Sequence, residues 1–225
     1  MRTFQEYLNE GLLNEGVHDR YIFKAIFLAG GPGSGKSYVR QNALEGFGLK
    51  VINSDDIFEK MLRDAGMQTT TDDIFSPKGQ EIRAIAKETT RARQENYLIG
   101  RLGLIIDGTG KDFNKIKRQA DELKELGYDV SMVFVNTSLD VALERNLLRE
   151  RTLASDMVKK AWNDVQDNIG KFQRYFGSNN FIIVDNNNAS QKELDLVWKD
   201  MWKQLEKPIK NPIAKKWIQE EMKNR

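Results

Sequence analysis

The stretch that decides the fold lies between residues 30 and 37 and reads Gly30-Gly31-Pro32-Gly33-Ser34-Gly35-Lys36-Ser37. It matches the P-loop pattern, in which main-chain N–H groups and the start of a helix surround the phosphates of a nucleotide. An apolar run, 21–29, precedes the stretch, and the helix-like segment 38–44 follows it, which is the context that the motif requires. We therefore predict that all eight residues contact ATP, with Lys36 at the β- and γ-phosphates and the Ser37 hydroxyl on Mg²⁺.

Composition excludes several other kinds of chemistry. The chain of 225 residues contains no cysteine and one histidine, so thiol catalysis, zinc-thiolate sites and a Ser-His-Asp triad are not expected. Its 35 basic and 33 acidic residues give a net charge of +2, so any contact with nucleic acid depends on a local patch. No apolar run approaches the roughly 20 residues of a membrane span, and we expect no membrane partner.

Apolar strands and amphipathic helices alternate along the chain from Tyr21 onward. This pattern predicts a P-loop NTPase fold of the α/β class, a three-layer sandwich with helices on both faces of a parallel sheet. We predict five strands, at 22–28, 49–53, 103–107, 130–136 and 181–185. We predict helices at 35–46, 55–65, 78–99, 112–126, 138–150, 155–176 and 189–205. The expected units are an N-terminal segment (1–20), the α/β domain (21–206) and a basic tail (207–225), in which Trp217 and Ile218 suggest docking.

Acidic residues follow the second predicted strand, in the sequence Asn53-Ser54-Asp55-Asp56. Ligands of such sheets lie beyond the carboxyl ends of the strands, so a carboxylate here can accept the proton of an attacking hydroxyl. We predict that Asp55 is this base and that Asp56 contacts the substrate. Alternatively, Asn53 or Ser54 caps a helix, and both aspartates only complement its dipole.

The third predicted strand ends in Leu104-Ile105-Ile106-Asp107, followed by Gly108-Thr109-Gly110. An apolar strand that ends in an acid is typical of a Walker B element, whose carboxylate holds Mg²⁺ directly or through water. We predict that Asp107 is a metal ligand and that Thr109 hydrogen-bonds the substrate. A simple helix cap is the alternative for Asp107.

An arginine-rich segment, Glu144 to Thr152, closes the helix after the fourth strand. Arg145 and Arg149 are four residues apart and share a helical face, and their guanidinium groups suit a transferring phosphoryl group. We predict that both are catalytic and that Arg149 and Arg151 also contact the nucleotide, within a mobile lid at 145–155. A solvated helix face is the alternative.

Two further segments contain candidate ligands. Arg83, Lys87 and Arg91 are spaced by four on the helix 78–99, as either a solvated stripe or a contact for a phosphate-bearing substrate. We predict Arg83 and Arg91 as substrate-binding residues. The loop 186–188, three asparagines after the last strand, is placed to approach a nucleotide base.

With these motifs in order, residues 21–160 resemble the P-loop kinase domain of phage-type 5′-hydroxyl polynucleotide kinases. The resemblance implies that Lys36 and Ser37 bind ATP and Mg²⁺, that Asp55 is the general base and that Arg149 contacts the donor phosphates. It also implies a nucleic-acid acceptor, and nucleotide-kinase-like P-loop proteins imply the strand order 2-3-1-4-5. Phe58 departs from that family, which has an arginine three residues after the base.

The chain is also similar to the zeta-toxin kinases, which phosphorylate a nucleotide sugar. Their acidic-Gly-Thr element is matched at 107–109, with Asp where Glu is more usual. A kinase acting on a nucleic-acid 5′-hydroxyl or a nucleotide-type substrate is the prediction. A zeta-like kinase, a kinase of a modified base hydroxyl in phage DNA, and a virion nucleotide-binding protein without kinase activity remain as alternatives.

The first sixteen residues resemble the capsid-targeting peptides of internal proteins of large tailed phages, which are cut after Glu in a Leu-x-Glu/Gly context. Leu8-Asn9-Glu10 before Gly11 and Leu13-Asn14-Glu15 before Gly16 match that context. The resemblance implies capsid packaging partners for a protein otherwise expected in the host cytoplasm. A short amphipathic docking helix, with Phe4, Tyr7, Leu8 and Leu12 on one face, is the alternative.

Overall fold

A five-stranded sheet lies at the centre of the computed structural model, which describes residues 16–148, 152–188 and 190–223. The strands are β1 Lys24–Ala29, β2 Lys50–Ile52, β3 Leu104–Asp107, β4 Asp129–Asn136 and β5 Phe181–Asp185. Their order is β2-β3-β1-β4-β5, and every pairing is parallel. The predicted α/β fold and strand order are confirmed. Because all strands run in one direction, their carboxyl ends meet at one edge of the sheet.

Helices connect the strands. The described helices are α1 Lys36–Val39, α2 Ser54–Asp64, α3 Thr71–Phe75, α4 Pro77–Ile99, α5 Phe113–Glu125, α6 Leu139–Leu147, α7 Ser155–Phe176, α8 Gln191–Leu205 and α9 Pro212–Lys223. A π-helix, Arg40–Leu44, and a 3₁₀ turn, Glu45–Phe47, continue α1.

Several predicted boundaries are wrong. The segment 35–46 is not one α-helix, because α1 passes into the π-helix after one turn. Strand β1 starts at Lys24 instead of residue 22, because Tyr21 and Phe23 have φ values of 64° and 58° that an extended strand does not allow. Helix α6 ends at Leu147, before the predicted residue 150.

Helix α3 was missed by the sequence prediction. The Thr70 side chain accepts a hydrogen bond from the Asp73 N–H and starts the helix. Ser76 ends it and, through its hydroxyl, also caps α4 at Gly79 N–H. A five-residue helix is too short to show a helical period, so only its capping residues could have indicated it.

The alternation of side chains along β1 divides the core into two layers. Ala25, Phe27 and Ala29 pack with α5, α7 and α9, whereas Ile26 and Leu28 pack with α1, the π-helix and α8. A third, smaller cluster joins α2, α3 and α4 through Phe58, Leu62, Ile74, Ile82 and Ala86. The residues that follow the strands are therefore supported by helices on both faces of the sheet.

Helix α9 packs the C-terminal segment onto the first of these layers. Trp217 contacts Phe23 with ring centroids 5.4 Å apart, and Ile218 packs against the same cluster. A Cβ added to Gly127 would lie 3.0 Å from the Ala214 nitrogen. The tail therefore docks as Trp217 and Ile218 indicated, while the domain boundaries at residues 20 and 206 stay predictions. No helix among the described residues is long and apolar enough to cross a membrane.

Candidate active site

The loop of residues 30–37 follows β1 at the carboxyl edge of the sheet, as predicted. Gly33 and Gly35 have φ values of 74° and 81°, in the left-handed region where glycine is strongly favoured. A Cβ on Gly33 would lie 2.5 Å from the carbonyl oxygen of Ala142, and one on Gly35 would overlap the side-chain nitrogen of Asn186. The loop therefore requires glycine at both positions for backbone conformation and for space.

We expect Gly33→Ala to destabilise the protein by at least about 2 kcal/mol, because the left-handed conformation costs about 1–2 kcal/mol and the new methyl group meets main chain. The melting temperature should fall by about 4–8 °C. Gly46→Ala is the control, since a Cβ there has no neighbour within 4 Å. Equal melting temperatures for the two variants would contradict this account of the loop.

Lys36 and Ser37 start α1 at the end of the loop. The Lys36 ammonium lies within the loop and donates to the Gly30 carbonyl at 2.8 Å. The Ser37 side chain is exposed on the first turn and has no hydrogen-bond partner among the described residues. Both side chains thus lie at the end of the loop, and their contacts with ATP and Mg²⁺ stay predictions.

Asp107 ends β3 beside the loop, and its side chain is only 6% exposed. Its carboxylate accepts hydrogen bonds from Asn53 Nδ2 at 3.1 Å and Arg40 Nη1 at 3.3 Å. Burial raises the pKa of Asp107 above its ordinary value, whereas the Lys36 and Arg40 cations act in the opposite direction. Asp107 is therefore a buried carboxylate facing the lysine of the loop, as a Walker B acid would be.

Asp55 and Asp56 lie in the first turn of α2 and have different surroundings. Asn53 caps the helix by accepting a hydrogen bond from the Asp55 N–H. The Asp56 carboxylate accepts hydrogen bonds from Arg40 Nη1 at 2.7 Å and Asn53 Nδ2 at 2.9 Å. The Asp55 carboxylate is exposed and has no partner among the described residues. Asp55 is therefore available as a base, whereas Asp56 is held by a structural ion pair.

Arg40 joins these elements and was not predicted from the sequence. The π-helix places its guanidinium between Asp56 and Asp107, and only 8% of the side chain is exposed. The spacing of four residues from Lys36 places Arg40 on the same face of an ordinary helix, which is the only signal that could have indicated it. Arg40 holds the start of α2 against the end of β3, and thereby fixes Asp55 relative to the loop.

We expect Arg40→Met to destabilise the protein by about 2 kcal/mol, because the buried Asp107 would lose the guanidinium that donates a hydrogen bond to it. Asp56→Asn should cost less, since the Asp56 side chain is 51% exposed and its pair with Arg40 is screened by solvent. Urea unfolding would measure both values, with the exposed Arg118→Met as control. A loss in Arg40→Met no larger than that in Arg118→Met would contradict the role of this network.

Arg145 approaches the loop from α6. Its Nη2 donates to the Asn187 carbonyl at 3.2 Å, while its buried Nη1 has no hydrogen-bond partner among the described residues. A Cβ on Gly35 would lie 3.5 Å from this Nη1. A buried, unpaired guanidinium nitrogen beside a P-loop is placed to bind an anion. Arg149 and Arg151, the other two predicted arginines, lie outside the described residues.

The loop after β5 also lies against the P-loop. Asn186 Nδ2 donates to the Ser34 carbonyl at 2.7 Å, whereas Asn186 Oδ1 and Ser34 Oγ are buried without partners in the part of the chain that the structure describes. The sequence predicted that this asparagine loop approaches a nucleotide base. Its contact with Ser34 brings it to the phosphate loop, and its approach to a base stays a prediction.

Asn146 connects the two ends of the arginine-rich segment. Its buried side chain donates to the Leu153 carbonyl at 2.8 Å and accepts from the Leu153 N–H at 3.0 Å. These two bonds join the end of α6 to the chain just before α7. The two hydrogen bonds therefore hold the chain in place near both ends of the predicted lid.

A cavity of about 590 Å³ opens beside Asp107, between the end of β3 and helix α4. Thr109 is exposed and lines it, and the Thr109 carbonyl accepts a hydrogen bond from the Gly30 N–H at 3.3 Å. Arg91 also lines the cavity, whereas the guanidinium of Arg83 lies over the Phe58 ring, 4.4 Å from its centroid. Of the two predicted substrate-binding arginines, the structure brings Arg91 to this cavity.

The residues around the P-loop fit a nucleotide and Mg²⁺. There is no room for a side chain at Gly30, Gly33 or Gly35, and unpaired polar atoms of Ser34, Arg145 and Asn186 lie around the loop. No three described His, Cys, Asp or Glu side chains group closely enough to hold a metal ion by themselves. Mg²⁺ at a P-loop takes several of its ligands from phosphates and water, so Ser37 and Asp107 suffice as protein ligands.

The parallel sheet, the glycine loop after β1 and the buried carboxylate of Asp107 together define a kinase-like P-loop NTPase fold. Residues 26–172 match the AAA_33 family, which is described as an AAA domain. The match covers well over half of the chain, and the protein belongs to this family.

Three solved structures show the same fold. A putative kinase from Chloroflexus aurantiacus is 18% identical over 80% of this chain and 96% of its own, with a TM-score of 0.54. A structure from the PezAT chromosomal toxin-antitoxin system of Streptococcus pneumoniae is 15% identical over 92% and 99%, with a TM-score of 0.53. The shikimate kinase from Bacteroides thetaiotaomicron is 14% identical over 81% and 98%, with a TM-score of 0.51. At these identities the likeness establishes a shared fold.

Proposed function

We propose that the protein is an ATP-dependent kinase that transfers the γ-phosphate to a hydroxyl group of a nucleic acid, most directly a 5′-hydroxyl. One observation carries the proposal: the exposed, unpaired carboxylate of Asp55 lies in the first turn of α2, beside a cavity that Asp107 and several cations line. Ser54, the neighbour of Asp55, is part of the cavity wall. An acceptor in the cavity would thus meet both the base and the phosphate donor.

The reaction would run as an in-line displacement. Asp55 takes the proton of the acceptor hydroxyl, the acceptor oxygen forms a bond to the γ-phosphorus, and the bond from that phosphorus to the β–γ bridging oxygen breaks to release ADP. Lys36 and Arg145 stabilise the negative charge that develops on the transferring group. Ser37 and Asp107 would hold Mg²⁺, which when bound would neutralise part of the charge on the phosphate oxygens.

The charge of the cavity favours an acceptor that carries phosphates. Lys87, Arg91, Lys111 and Lys115 line it against two acids, Asp107 and Asp112. A second groove of about 670 Å³ shares Lys111 and Asp112 with the cavity, and Lys160, Lys171 and Asp164 also line it, so its lysines exceed its acids by one. Lysines therefore line a surface longer than a mononucleotide needs. This supports a polynucleotide acceptor over a nucleotide sugar.

Arg83, the other predicted substrate-binding arginine, does not line the cavity. Its guanidinium stacks on Phe58, the residue that stands where the resembled polynucleotide kinases have an arginine. Its Nε and Nη2 are buried and have no hydrogen-bond partner among the described residues. Because Arg83 lies on the core side of α4 and does not line the cavity, its role as a substrate ligand stays a prediction.

Labelled phosphate transfer tests the proposal. The protein is incubated with γ-labelled ATP and, separately, a 5′-hydroxyl oligonucleotide, the same oligonucleotide with a 5′-phosphate, a 5′-phosphorylated DNA with hydroxymethylated bases, nucleosides, and a uridine-diphosphate sugar. We expect label only on the 5′-hydroxyl oligonucleotide. Label on a 5′-phosphorylated DNA that carries hydroxymethylated bases would move the acceptor to the base, and label on the nucleotide sugar would favour a zeta-like kinase. ATP hydrolysis without any labelled acceptor would reject the kinase assignment.

The cations of the cavity provide a matched test of the substrate class. The double variant Arg91→Gln/Lys111→Gln should raise the KM for the oligonucleotide about tenfold. The slope of log K against log salt concentration should become shallower by about two. The control removes the same charge from helix α8, as Lys192→Gln with Lys199→Gln, both of which are exposed. Equal effects of the two double variants would place the acceptor elsewhere.

A further inference from the structure

A second cavity, of about 560 Å³, lies at the opposite edge of the sheet, where β1 and β4 begin. Lys24 and Asp129 lie at the starts of these strands, and Leu205 and Pro208 close the cavity from the end of α8 and the segment that leads to α9. Its volume is in the range of small-molecule sites. Because the P-loop follows the other end of β1, this cavity is separate from the candidate active site.

The cavity is strongly cationic. Four lysines line it, Lys24, Lys124, Lys207 and Lys210, against a single acid, Asp129, which leaves a formal charge of +3. Lys24 forms an ion pair with Asp129 at 2.7 Å. The other three lysines have no carboxylate within ion-pair distance among the described residues. Like charges around one space repel each other, so an anion in the cavity would stabilise the protein.

Two polar groups in the wall have unused hydrogen-bonding capacity. The Lys24 side chain is 5% exposed, and its ammonium donates to the Asp129 carboxylate and, at 2.7 Å, to the Lys207 carbonyl. An ammonium group has three donors, so one remains. Ser131 is also buried in the wall, and its hydroxyl has no hydrogen-bond partner within the described ranges. Both groups suit the oxygens of a phosphate or carboxylate.

The rest of the wall is aromatic and apolar. Tyr128, Phe176 and Leu205 are buried and line the cavity. Lys124 lies 4.0 Å from the centroid of the adjacent Tyr175 ring, and burial lowers the pKa of this lysine. A ligand with a flat apolar body would cover these side chains while its charged group meets the lysines.

We propose that this cavity binds a small organic anion, which consists of a flat apolar ring and one phosphate or carboxylate group. The site is independent of the kinase reaction, because it contains none of the residues around the P-loop. The ring would contact the aromatic wall, and the anionic group would take the remaining Lys24 donor and the Ser131 hydroxyl, with Lys124 and Lys210 as further cations.

Fluorescence titration with 1-naphthyl phosphate tests the site, in a Lys36→Ala background that weakens binding at the P-loop. We expect saturable binding. The double variant Lys124→Gln/Lys210→Gln should weaken it about tenfold, because each substitution removes a charged donor. The control removes two exposed lysines from α8, as Lys192→Gln with Lys199→Gln, and should leave the affinity unchanged.

Two comparisons decide whether the ligand class is correct. The neutral 1-naphthol should bind at least tenfold more weakly than the phosphate, and inorganic phosphate alone should compete only at higher concentration. Equal binding of 1-naphthol would overturn the anionic part of the proposal. No saturable binding at millimolar concentration, or equal weakening in the α8 control, would overturn the site itself. None of these outcomes depends on whether the protein transfers phosphate.

Discussion

The variant Asp55→Asn should lose phosphoryl transfer by a factor of about 10²–10⁴ while it still binds ATP. Asparagine has nearly the same shape as aspartate but cannot take a proton, so only the step that needs a base is removed. The Asp55 carboxylate holds no other side chain among the described residues, and its N–H remains bonded to the Asn53 cap. Folding stability should therefore be unchanged.

Phosphate transfer to the labelled acceptor measures the expected loss of activity. Calorimetry measures whether ATP binding is retained. Asp64→Asn, at the other end of α2, is the matched control because it removes one exposed carboxylate from the same helix. Turnover within a factor of two of the unchanged protein would exclude Asp55 as the base. A parallel loss of ATP binding would instead assign it to the nucleotide site.

Lys36→Ala should lower turnover by about a hundredfold or more, because the loop would lose the ammonium that faces the transferring phosphate. ATP binding should weaken as well, since this lysine meets the phosphates in the bound state and in the transition state. Lys36→Arg should not restore activity. The guanidinium is larger, and the ammonium lies within hydrogen-bond distance of the Gly30 carbonyl in a closely packed loop.

The control for this experiment is Lys60→Ala, an exposed lysine on α2. Circular dichroism should show the same fold for both variants. Near-normal turnover in Lys36→Ala would contradict the assignment of the loop as the donor site, whatever acceptor is used.

The sequence was most informative where function depends on main-chain geometry. The glycines of the loop predicted the left-handed backbone at Gly33 and Gly35, and the strand periodicity predicted all five strands within one or two residues at each end. Asp107 was found because an acid after an apolar strand has a well-known position in such folds. These features depend on local patterns, which a single sequence contains.

Side-chain networks between distant segments were not predictable in the same way. The position of Arg40 depends on a π-helix, and no local pattern distinguishes that turn from the α-helix expected at 35–46. The difference between Asp55 and Asp56 also depends on Arg40, because its guanidinium pairs with the Asp56 carboxylate and leaves the Asp55 carboxylate unpaired among the described residues. The cationic cavity at the far edge of the sheet needs the tail, β1 and β4 together, so it exists only in the folded chain.

The central position of β1 has a consequence for biosynthesis. Ala25 pairs with Leu104 on one side and Val130 on the other, partners 79 and 105 residues later in the chain. At about 5–20 residues per second, a ribosome needs roughly 4–16 s to make the first of these partners. Until then the central strand, whose six residues are all buried in the folded protein, has neither of its neighbours, so β1 is the segment for which a newly made chain most needs a chaperone.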